Sequence, residues 1–403
     1  MIYQGNCRLG DLFESRRERG RPGLPLFSVT MNDGLVDREQ LERKQETNLS
    51  AKEHLLVKPG DIAYNTMRMW QGAFGLADRE GLVSPAYVVL KPRADVDPLY
   101  ASYLFKTPRM SYLFWAYSYG LTDDRLRLYP DDFMRIPVSI PALPVQMRTA
   151  RLLSEWDQAI SATERLFSLQ TDLHKKILAD LTVGRQRLPG FESEWASVRL
   201  GAIGGTYGGL SGKSREDFGH GKPFVPYANI FANSKIDLTA LDLVDVRKGE
   251  AQNACRYGDI FFTASSETPE ELGTASVLLE EVEELYLNSF CVGFRLHNFS
   301  VLLPEFARFL FRGPALRRSL DQIAQGYTRF NLSKPQLMKL HIHVPAIEEQ
   351  RRIAALLDTS ERQVLAHAEQ ISSLKSEKFA LMQRLLGGKR GTPTDELLEA
   401  ESA

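Results

Sequence analysis

The feature that most constrains the fold of this chain is an internal repeat. Residues 140–153 match residues 344–357 at an offset of 204 positions. The match keeps the same register, without a gap, for about fifty residues, as far as Pro189 and Pro393. A gapless register of this length is typical of a helix, because one inserted residue would rotate every later side chain by roughly 100° about the axis. The sequence therefore predicts one structural unit that occurs twice.

Both copies carry the start and stop signals of a long helix. Pro144 suits a first helical turn, whereas Gly184 and the Gly387-Gly388 pair suit the stop. Apolar residues recur between these signals at steps of three and four. In the first copy they are Leu153, Ile160, Phe167, Ile177 and Leu181, with a second stripe at Leu152, Trp156, Ala159, Leu166, Leu169 and Leu173. The second copy has Leu357, Val364, Ile371, Leu374, Leu381 and Leu385.

This apolar face is wider than the seam of a simple two-helix coiled coil. For one such helix alone, the simpler interpretation would be a core helix of a globular domain. Two matched helices of about 38 residues, each following a separate mixed segment, instead favour a pair that holds two domains apart. We expect the pair to be antiparallel.

The segments that precede the helices also correspond, although more loosely. The paired stretches are 8–10 with 199–201, 59–64 with 257–262, 120–122 with 326–328, and 128–134 with 332–338. Short β-branched and aromatic runs dominate both segments, which predicts a compact α+β domain in each. The expected order is a first domain at 1–143, a first helix and linker at 144–190, a second domain at 191–343, a second helix at 344–390, and a loose acidic tail at 391–403.

Composition excludes several classes of protein. A chain of 403 residues is longer than one core usually supports. Cys7, Cys255 and Cys291 are too scattered for a disulfide scaffold or a zinc site and suit a reducing compartment. No signal peptide and no membrane span is visible, so we expect a cytoplasmic protein. The formal net charge of −1 argues against a duplex binder that works alone, unless basic groups cluster locally or partners supply phosphate contacts.

Two near-motifs fall short of an active site. Residues 208–214 look like a phosphate-binding loop, but the pattern requires glycine where the chain has Tyr207. Residues 84–87 (SPAY) look like the motif with which amino-methyltransferases hold a flipped base, but the second proline is missing and no glycine-rich cofactor motif accompanies them. No histidine or cysteine cluster has metal-ligand spacing. The sequence therefore predicts a protein without a catalytic site, metal or cofactor of its own.

The doubled order of motifs resembles the specificity subunits of Type I restriction–modification enzymes, over about residues 8–391. Residues 146–153 and 350–357, each followed by a long helix and a glycine-basic stop, resemble their paired spacer regions. Their target-recognition domains fall into groups. One group is similar to residues 27–30 (FSVT), 64–73 (YNTMRMWQGA) and 84–87. Another is similar to residues 209–214 (GLSGKS), 263–268 (TASSET), 287–290 (LNSF) and 326–333 (GYTRFNLS).

The resemblance implies a role in a complex. Each recognition domain would read one half of a split, asymmetric site in double-stranded DNA, and the helices would set the gap. Two adenine-methylating subunits would dock on the chain, with two ATP-driven translocase-nuclease subunits in the restriction complex. S-adenosylmethionine, ATP and Mg²⁺ would then belong to the partners. A helix of about 38 residues is roughly 57 Å long, enough for two readers on successive major grooves about 34 Å apart.

The side chains expected to contact DNA lie in loops rich in groups that pair with base edges, where arginine suits guanine and Asn or Gln suits adenine. In the first domain they are Asn65, Thr66, Arg68, Trp70, Gln71, Arg125 and Arg127. In the second they are Lys213, Arg215, Tyr227, Asn229, Ser265, Ser266, Tyr327, Arg329 and Asn331. On the helices, the residues expected to bind partner subunits are Gln146, Leu152, Trp156, Leu166, Gln350 and Leu356.

Two other functions fit the same sequence. The chain could serve a fused methylase-nuclease in place of separate subunits, and nothing in its residues distinguishes these two arrangements. It could also be an adaptor whose two domains bind proteins rather than DNA, for which the near-neutral charge is the best support. Binding to duplex DNA that weakens steeply with salt would exclude the adaptor.

Overall fold

The internal repeat folds into two matched long helices, Leu143–Leu181 and Ile347–Leu386. The computed structural model describes residues 4–41, 49–268, 271–322, 324–325 and 330–387. Tyr327, Arg329 and the tail at 391–403 lie outside these described residues. The chain divides into two units, the first made of residues 1–164 and 369–403 and the second of residues 165–368. Each unit therefore contains one half of each long helix.

Within each unit the two helix halves run antiparallel. In the first unit Glu164 pairs with Lys375 at 2.7 Å, and Asp157 pairs with Lys378. In the second unit Gln170 Nε2 donates to Gln363 Oε1 at 2.9 Å, and His174 Nδ1 lies 3.2 Å from Ser360 Oγ. Partner numbers fall along one helix as they rise along the other, which is the signature of antiparallel packing. The expected class, α+β with two long antiparallel helices, is confirmed.

The first unit is built from short strands and helices that precede the first long helix. Its strands are β1 (Gln4–Arg8), β2 (Phe13–Arg16), β3 (Phe27–Val29), β4 (Leu35–Asp37), β5 (Leu55–Val57), β6 (Ile62–Asn65), β7 (Phe74–Leu76), β8 (Gly81–Val83), β9 (Tyr87–Pro92) and β10 (Pro137–Ile140). Its helices are α1 (Leu9–Leu12), α2 (Pro98–Phe105), α3 (Pro108–Ala116), α4 (Pro130–Arg135) and the first half of α5, the first long helix.

The second unit repeats this plan with additional strands. Its strands are β11 (Ala196–Arg199), β12 (Gly204–Gly208), β13 (Phe218–Val225), β14 (Asp242–Val244), β15 (Ile260–Thr263), β16 (Ser265–Ser266), β17 (Ala275–Val277), β18 (Tyr286–Leu287), β19 (Cys291–Leu296), β20 (Ala324–Gln325), β21 (Phe330–Leu332) and β22 (His341–Val344). Its helices are α6 (Leu200–Ile203), α7 (Tyr227–Ala232), α8 (Pro304–Leu310), α9 (Pro314–Gln322), α10 (Lys334–Leu337) and the first half of α11, the second long helix.

The central sheets of the two units have the same order. The first is β2-β9-β6-β7 and the second is β12-β19-β15-β17, and every pair within them is antiparallel. In each unit the first strand also pairs with the strand just before the long helix, β1 with β10 and β11 with β22. The loose sequence correspondence of the two segments therefore reflects one shared topology.

Residues that recur in the two segments have the same structural role in each unit. Gly10 and Gly201 lie against the backbone of Met134 and Met338, where an added Cβ would come within 3.0 Å and 2.8 Å of a carbonyl oxygen. The buried carboxylates of Asp61 and Asp259 are each gripped through two nitrogens of one arginine, Arg16 in the first unit and Arg295 in the second. Such bidentate, charge-assisted pairs are strong, and they fix the starts of β6 and β15 from inside each domain.

Each long helix is joined to its domain by apolar packing. Ala150 and Leu153 of α5 belong to the core of the first unit, whose centre is a cluster of aromatic rings, Phe13, Tyr64, Phe74, Phe105, Phe114 and Phe133. Ile353 and Leu357 of α11 occupy the matching place in the core of the second unit. Among the described residues, no helix is both long enough and apolar enough to cross a membrane.

A buried glutamine completes each junction. Gln146 Nε2 donates to the carbonyl oxygens of Asp95 and Pro141, and its Oε1 accepts from the backbone N–H of Asp97 at 3.0 Å. Gln350 makes the same three bonds to Val301, Pro345 and Leu303. Both side chains belong to residues with 0% exposure. The partner contacts predicted for Gln146 and Gln350 stay predictions, but the amides of both residues are already used inside the chain.

We expect Gln146→Ala to loosen the junction of the first unit only. The substitution leaves the Pro141 carbonyl, which is buried, and the part-buried Asp97 N–H without this partner, and an unsatisfied buried group costs about 1–3 kcal/mol. Amide hydrogen exchange should accelerate at residues 95–99 and stay unchanged at 301–305, and Gln350→Ala should give the reverse pattern. The control is Gln158→Ala at an exposed position of α5. Equal effects of all three variants on exchange would contradict the role of these amides.

Candidate nucleic-acid interface

The central sheet of the first unit has one edge at which loops from distant parts of the chain meet. Strands β2 and β6 end there, and strand β9 begins there, because Arg16 pairs with Val89 and Asn65 pairs with Tyr87. Strand ends leave loops whose backbone is not committed to the sheet, and such loops are where binding residues concentrate.

These loops enclose a cleft of about 600 Å³. Asn65, Thr66 and Arg127, three of the residues predicted to contact DNA, line it together. The structure adds Arg17 and Arg19, which the sequence analysis missed and which are both exposed on the segment after β2. The run of arginines at 16–21 could have drawn attention to this segment. The cleft thus combines guanidinium groups with an amide and a hydroxyl, a combination that suits phosphates and base edges.

The cleft walls are held by one local and one long-range hydrogen bond. Asn65 Oδ1 accepts from the backbone N–H of Met67 at 3.0 Å, which turns the chain sharply after β6. The backbone N–H of Leu128 donates to the carbonyl of Thr66 at 2.8 Å and so fastens the segment carrying Arg127 to this turn. Residues more than sixty positions apart in sequence are thereby placed side by side.

Arg16 lies in the same cleft but has a different role. Its guanidinium binds the Asp61 carboxylate at 2.6 Å through Nε and at 3.1 Å through Nη2, and it also reaches Glu18. The hydrogen bond to Asp61 raises the pKa of Arg16. Arg16 therefore organises the strand end, while Arg17, Arg19 and Arg127 remain exposed beside it.

The turn after β6 carries three further predicted residues. Arg68 and Gln71 are exposed around the short 3-10 helix Met69–Gln71. Trp70 instead packs against the core of the first unit, and its indole N–H is one of the few buried polar groups without a hydrogen-bond partner in the described part of the chain. Arg68 and Gln71 are accessible to a ligand, whereas most of the Trp70 ring is used for packing.

Arg125 and Arg127 lie in a loop closed by backbone bonds. Tyr119 and Arg127 donate to each other's carbonyls at 3.0 Å and 2.9 Å. Arg125 lies in a 3-10 turn inside this loop, and both arginine side chains are exposed. The loop therefore adds Arg125 as a second exposed cation beside Arg127, which already lines the cleft.

The equivalent edge of the second unit is built differently. A small three-stranded sheet of β16, β21 and β20 follows directly after β15 and pairs Ser265 with Asn331. Asn331 is exposed and Ser265 is half-buried. The hydroxyl of Tyr227 donates to the carbonyl of Ser265 at 3.1 Å, and burial raises the pKa of this tyrosine. Ser265, Asn331 and the half-buried Tyr227, which were predicted individually from separate motifs, thus lie at one place.

Three predicted residues of the second unit have internal hydrogen-bond partners. Lys213 has a 6% exposed side chain whose ammonium group donates to Glu250 at 2.6 Å and to the carbonyl of Asp245. Asn229 is buried and bonds the carbonyls of Asp237 and Ala240. The DNA contacts predicted for Lys213 and Asn229 stay predictions, but internal partners already hold the polar groups of both residues. The anchored Lys213 also argues against a phosphate-binding loop at 208–214.

Ser266 is the third of these residues. It is buried, and its hydroxyl donates to Glu271 Oε2 at 3.0 Å while accepting from the backbone N–H of Thr268. The predicted contact of Ser266 with DNA stays a prediction, but its hydroxyl is already used inside the domain. Arg215, by contrast, is exposed in a short 3-10 turn.

The apolar residues predicted to bind partners lie on exposed helix faces. Leu152 is exposed on the part of α5 in the first unit, and Trp156 is half-buried there. In the second unit Leu166, Leu169 and Leu173 of α5 are all exposed and follow steps of three and four residues, which places them on one face. Leu356 of α11 is exposed as well.

The described residues offer no group of three or more His, Cys, Asp or Glu side chains able to hold a metal ion. Burial raises the pKa of the Cys255 and Cys291 thiols to about 12. Burial also raises the pKa of Cys7. These thiols are therefore protonated near neutral pH and suit packing rather than nucleophilic attack.

Comparison with known proteins agrees with this architecture. Residues 192–376 match the family model described as the Type I restriction modification DNA specificity domain. The fold resembles the Type I restriction-modification S subunit from M. genitalium, with a TM-score of 0.58, 15% identity and 96% of each chain covered. It also resembles the HsdS subunit from Thermoanaerobacter tengcongensis, with a TM-score of 0.50, 17% identity, and 95% of this chain and 96% of that chain covered.

A third solved structure, described as concerning complex assembly and conformational transition of the type I R-M system, has a TM-score of 0.53 and 17% identity, with 96% of this chain and 99% of that chain covered. No curated protein sequence matches the chain. The resemblance predicted from the doubled motifs is confirmed, and so is the expectation of a non-catalytic subunit, because the matched domain is one of DNA specificity. Residues 192–376 therefore match the Type I restriction modification DNA specificity domain, and the chain as a whole shares the fold of solved Type I specificity subunits.

Proposed function

We propose that each unit of this chain reads one half of a bipartite, asymmetric site in double-stranded DNA. The observation that carries the proposal is that one sheet topology occurs twice with different side chains at the same strand edge. The first edge offers an arginine-lined cleft with Asn65 and Thr66. The second offers Ser265, Asn331 and Tyr227. Two unlike readers on one scaffold suit a site whose halves differ.

The long helices would set the distance between the half-sites and would dock two adenine-methylating subunits. The exposed leucines of α5 support the docking role, because contiguous exposed apolar groups mark protein interaction surfaces. Two ATP-dependent translocase-nuclease subunits would join the restriction complex. The chemistry, with S-adenosylmethionine, ATP and Mg²⁺, would reside in these cytoplasmic partners.

Replacing residues 1–143 by the first recognition domain of another specificity subunit should change one half of the methylated site and leave the other half intact. The reason is that each domain has its own core and its own strand edge. The measurement is genome-wide adenine methylation with the native gene, with the exchanged gene and without either. A motif altered in both halves would contradict the one-domain, one-half model, and a genome unaffected by the gene would contradict the proposed function.

Alanine at Arg17, Arg19 or Arg127 should weaken binding of the methylase assembly to all duplexes by a similar factor. Each lost phosphate contact should also reduce the slope of log affinity against log salt by about 1. The matched control is Arg93→Ala, because Arg93 is exposed beyond the opposite end of β9. A control variant that loses as much affinity as Arg127→Ala would place the DNA elsewhere. An assembly whose affinity is independent of salt would favour the protein adaptor.

Aspartate at Leu166 or Leu169 should prevent co-purification of methylase subunits with the chain. Both side chains are exposed, so the substitutions cost the free chain little, whereas a buried carboxylate in an interface lacks a partner. Ser168→Asp is the control, since residue 168 is exposed about 200° around the same helix from Leu166. Undiminished co-purification of both leucine variants would remove this face from the docking surface.

A further inference from the structure

The loop between Tyr119 and Arg127 carries an apolar residue at its tip. Leu121 is 94% exposed, more than any other large hydrophobic residue in the described part of the chain. Single exposed leucines are common on protein surfaces, so exposure alone assigns no role. The conformation of the loop, its position and its charged neighbours provide the additional observations.

The loop is held in one conformation by its own backbone. Tyr119 and Arg127 exchange two hydrogen bonds at its base, and the N–H of Arg125 donates to the carbonyl of Thr122 at 2.9 Å. Gly120 packs so closely on this turn that an added Cβ would lie 2.6 Å from the Arg125 carbonyl oxygen. The tip therefore cannot fold back easily onto the domain to bury Leu121.

The base of this loop is fastened to the cleft of the first unit. Leu128, the residue after the bridge, is fully buried and donates its N–H to the carbonyl of Thr66. Arg127 lines the cleft, and Arg125 is exposed on the loop itself. An apolar side chain is thus presented on the same backbone-braced loop as two exposed guanidinium groups, on the edge to which the proposed function assigns DNA.

We propose that Leu121 is a specificity-determining residue that contacts the apolar surface of a base in the half-site read by the first unit. The inference rests on the proposed function. The neighbouring arginines suit phosphates, which carry no sequence information, whereas a leucine has no donor or acceptor for them. The apolar surfaces that a duplex offers are the thymine methyl group in the major groove and the base faces at an unstacked step. Both would bury the tip.

The test compares the wild-type methylase assembly with its Leu121→Ala form, after the methylated motif has been mapped. Binding is measured to duplexes that carry every single-base change in both half-sites. We expect Leu121→Ala to lose roughly tenfold in affinity for the native site, a typical effect of one base contact. Discrimination should fall at one or two adjacent positions of one half-site, with affinity for unrelated DNA unchanged. Leu243→Ala, at an exposed leucine of the second unit, is the matched control.

Two further duplexes separate the possible base surfaces. Uracil in place of thymine should weaken wild-type binding as much as Leu121→Ala does, with no added loss in the variant, if the tip contacts a methyl group. A 2-aminopurine probe should brighten with the wild type and not with Leu121→Ala if the tip enters an unstacked step. Either result supports the contact, and an unchanged melting temperature of Leu121→Ala shows that the variant is folded.

A wild-type assembly that methylates a specific motif, together with a Leu121→Ala form of unchanged affinity and base preference, would overturn this inference and leave the proposed function standing. Loss of methylase co-purification with unchanged DNA preference would also overturn it, because the tip would then contact protein. A wild-type assembly without sequence preference would instead refute the proposed function itself.

Discussion

The hydrogen bonds of one buried glutamine amide determine how each long helix leaves its domain. Gln146 and Gln350 each bind two carbonyls and one N–H, and these groups lie in the loop before a short helix and at the proline before the long one. A primary amide can satisfy all three groups at once, and few other side chains can. Because the amide is buried, a different helix direction would leave several polar groups unpaired, at a cost comparable to a sizeable part of domain stability.

The two units share the buried residues around this junction, but they differ at the edges of their central sheets. The shared parts lie at the glutamines, at the glycines packed on Met134 and Met338, and at the buried carboxylates of Asp61 and Asp259. Even there the units differ in detail, since the arginine that binds the carboxylate comes from β2 in one and from β19 in the other. The loops at the edges of the two central sheets have almost no residue types in common. A scaffold fixed from inside can therefore present unlike surfaces without a change of topology.

The contrast between a repeated scaffold and differing strand edges also explains which features could be predicted from the sequence. Helical periodicity and the gapless repeat predicted the long helices, because both follow from local geometry. Asn65, Thr66 and Arg127 were recognised as site candidates, but Arg17 and Arg19 were not, since their closeness to Thr66 depends on sheet pairing. The internal partners of Lys213, Asn229 and Gln146 could not be foreseen, because the groups that suit base edges also suit buried carbonyls and carboxylates. Gln146 and Gln350 occupy the same position of the repeat, although the strand edges of the two units carry different residues. Such recurrence in the sequence is itself a signal of a structural role.

The near-neutral charge of the chain acquires a different meaning once its ion pairs are located. Arg16 faces Asp61, Arg295 faces Asp259, Lys213 faces Glu250, and Arg308 binds both Asp358 and Glu361, so many cations are neutralised inside the domains. Fields near a surface depend on the exposed charges within about 10 Å, because salt screens those farther away. At the first edge those charges include Arg17, Arg19, Arg125 and Arg127, all exposed. A net charge near zero is therefore compatible with an edge that carries four exposed arginines, even though the exposed Glu18 and Asp124 are their neighbours in sequence.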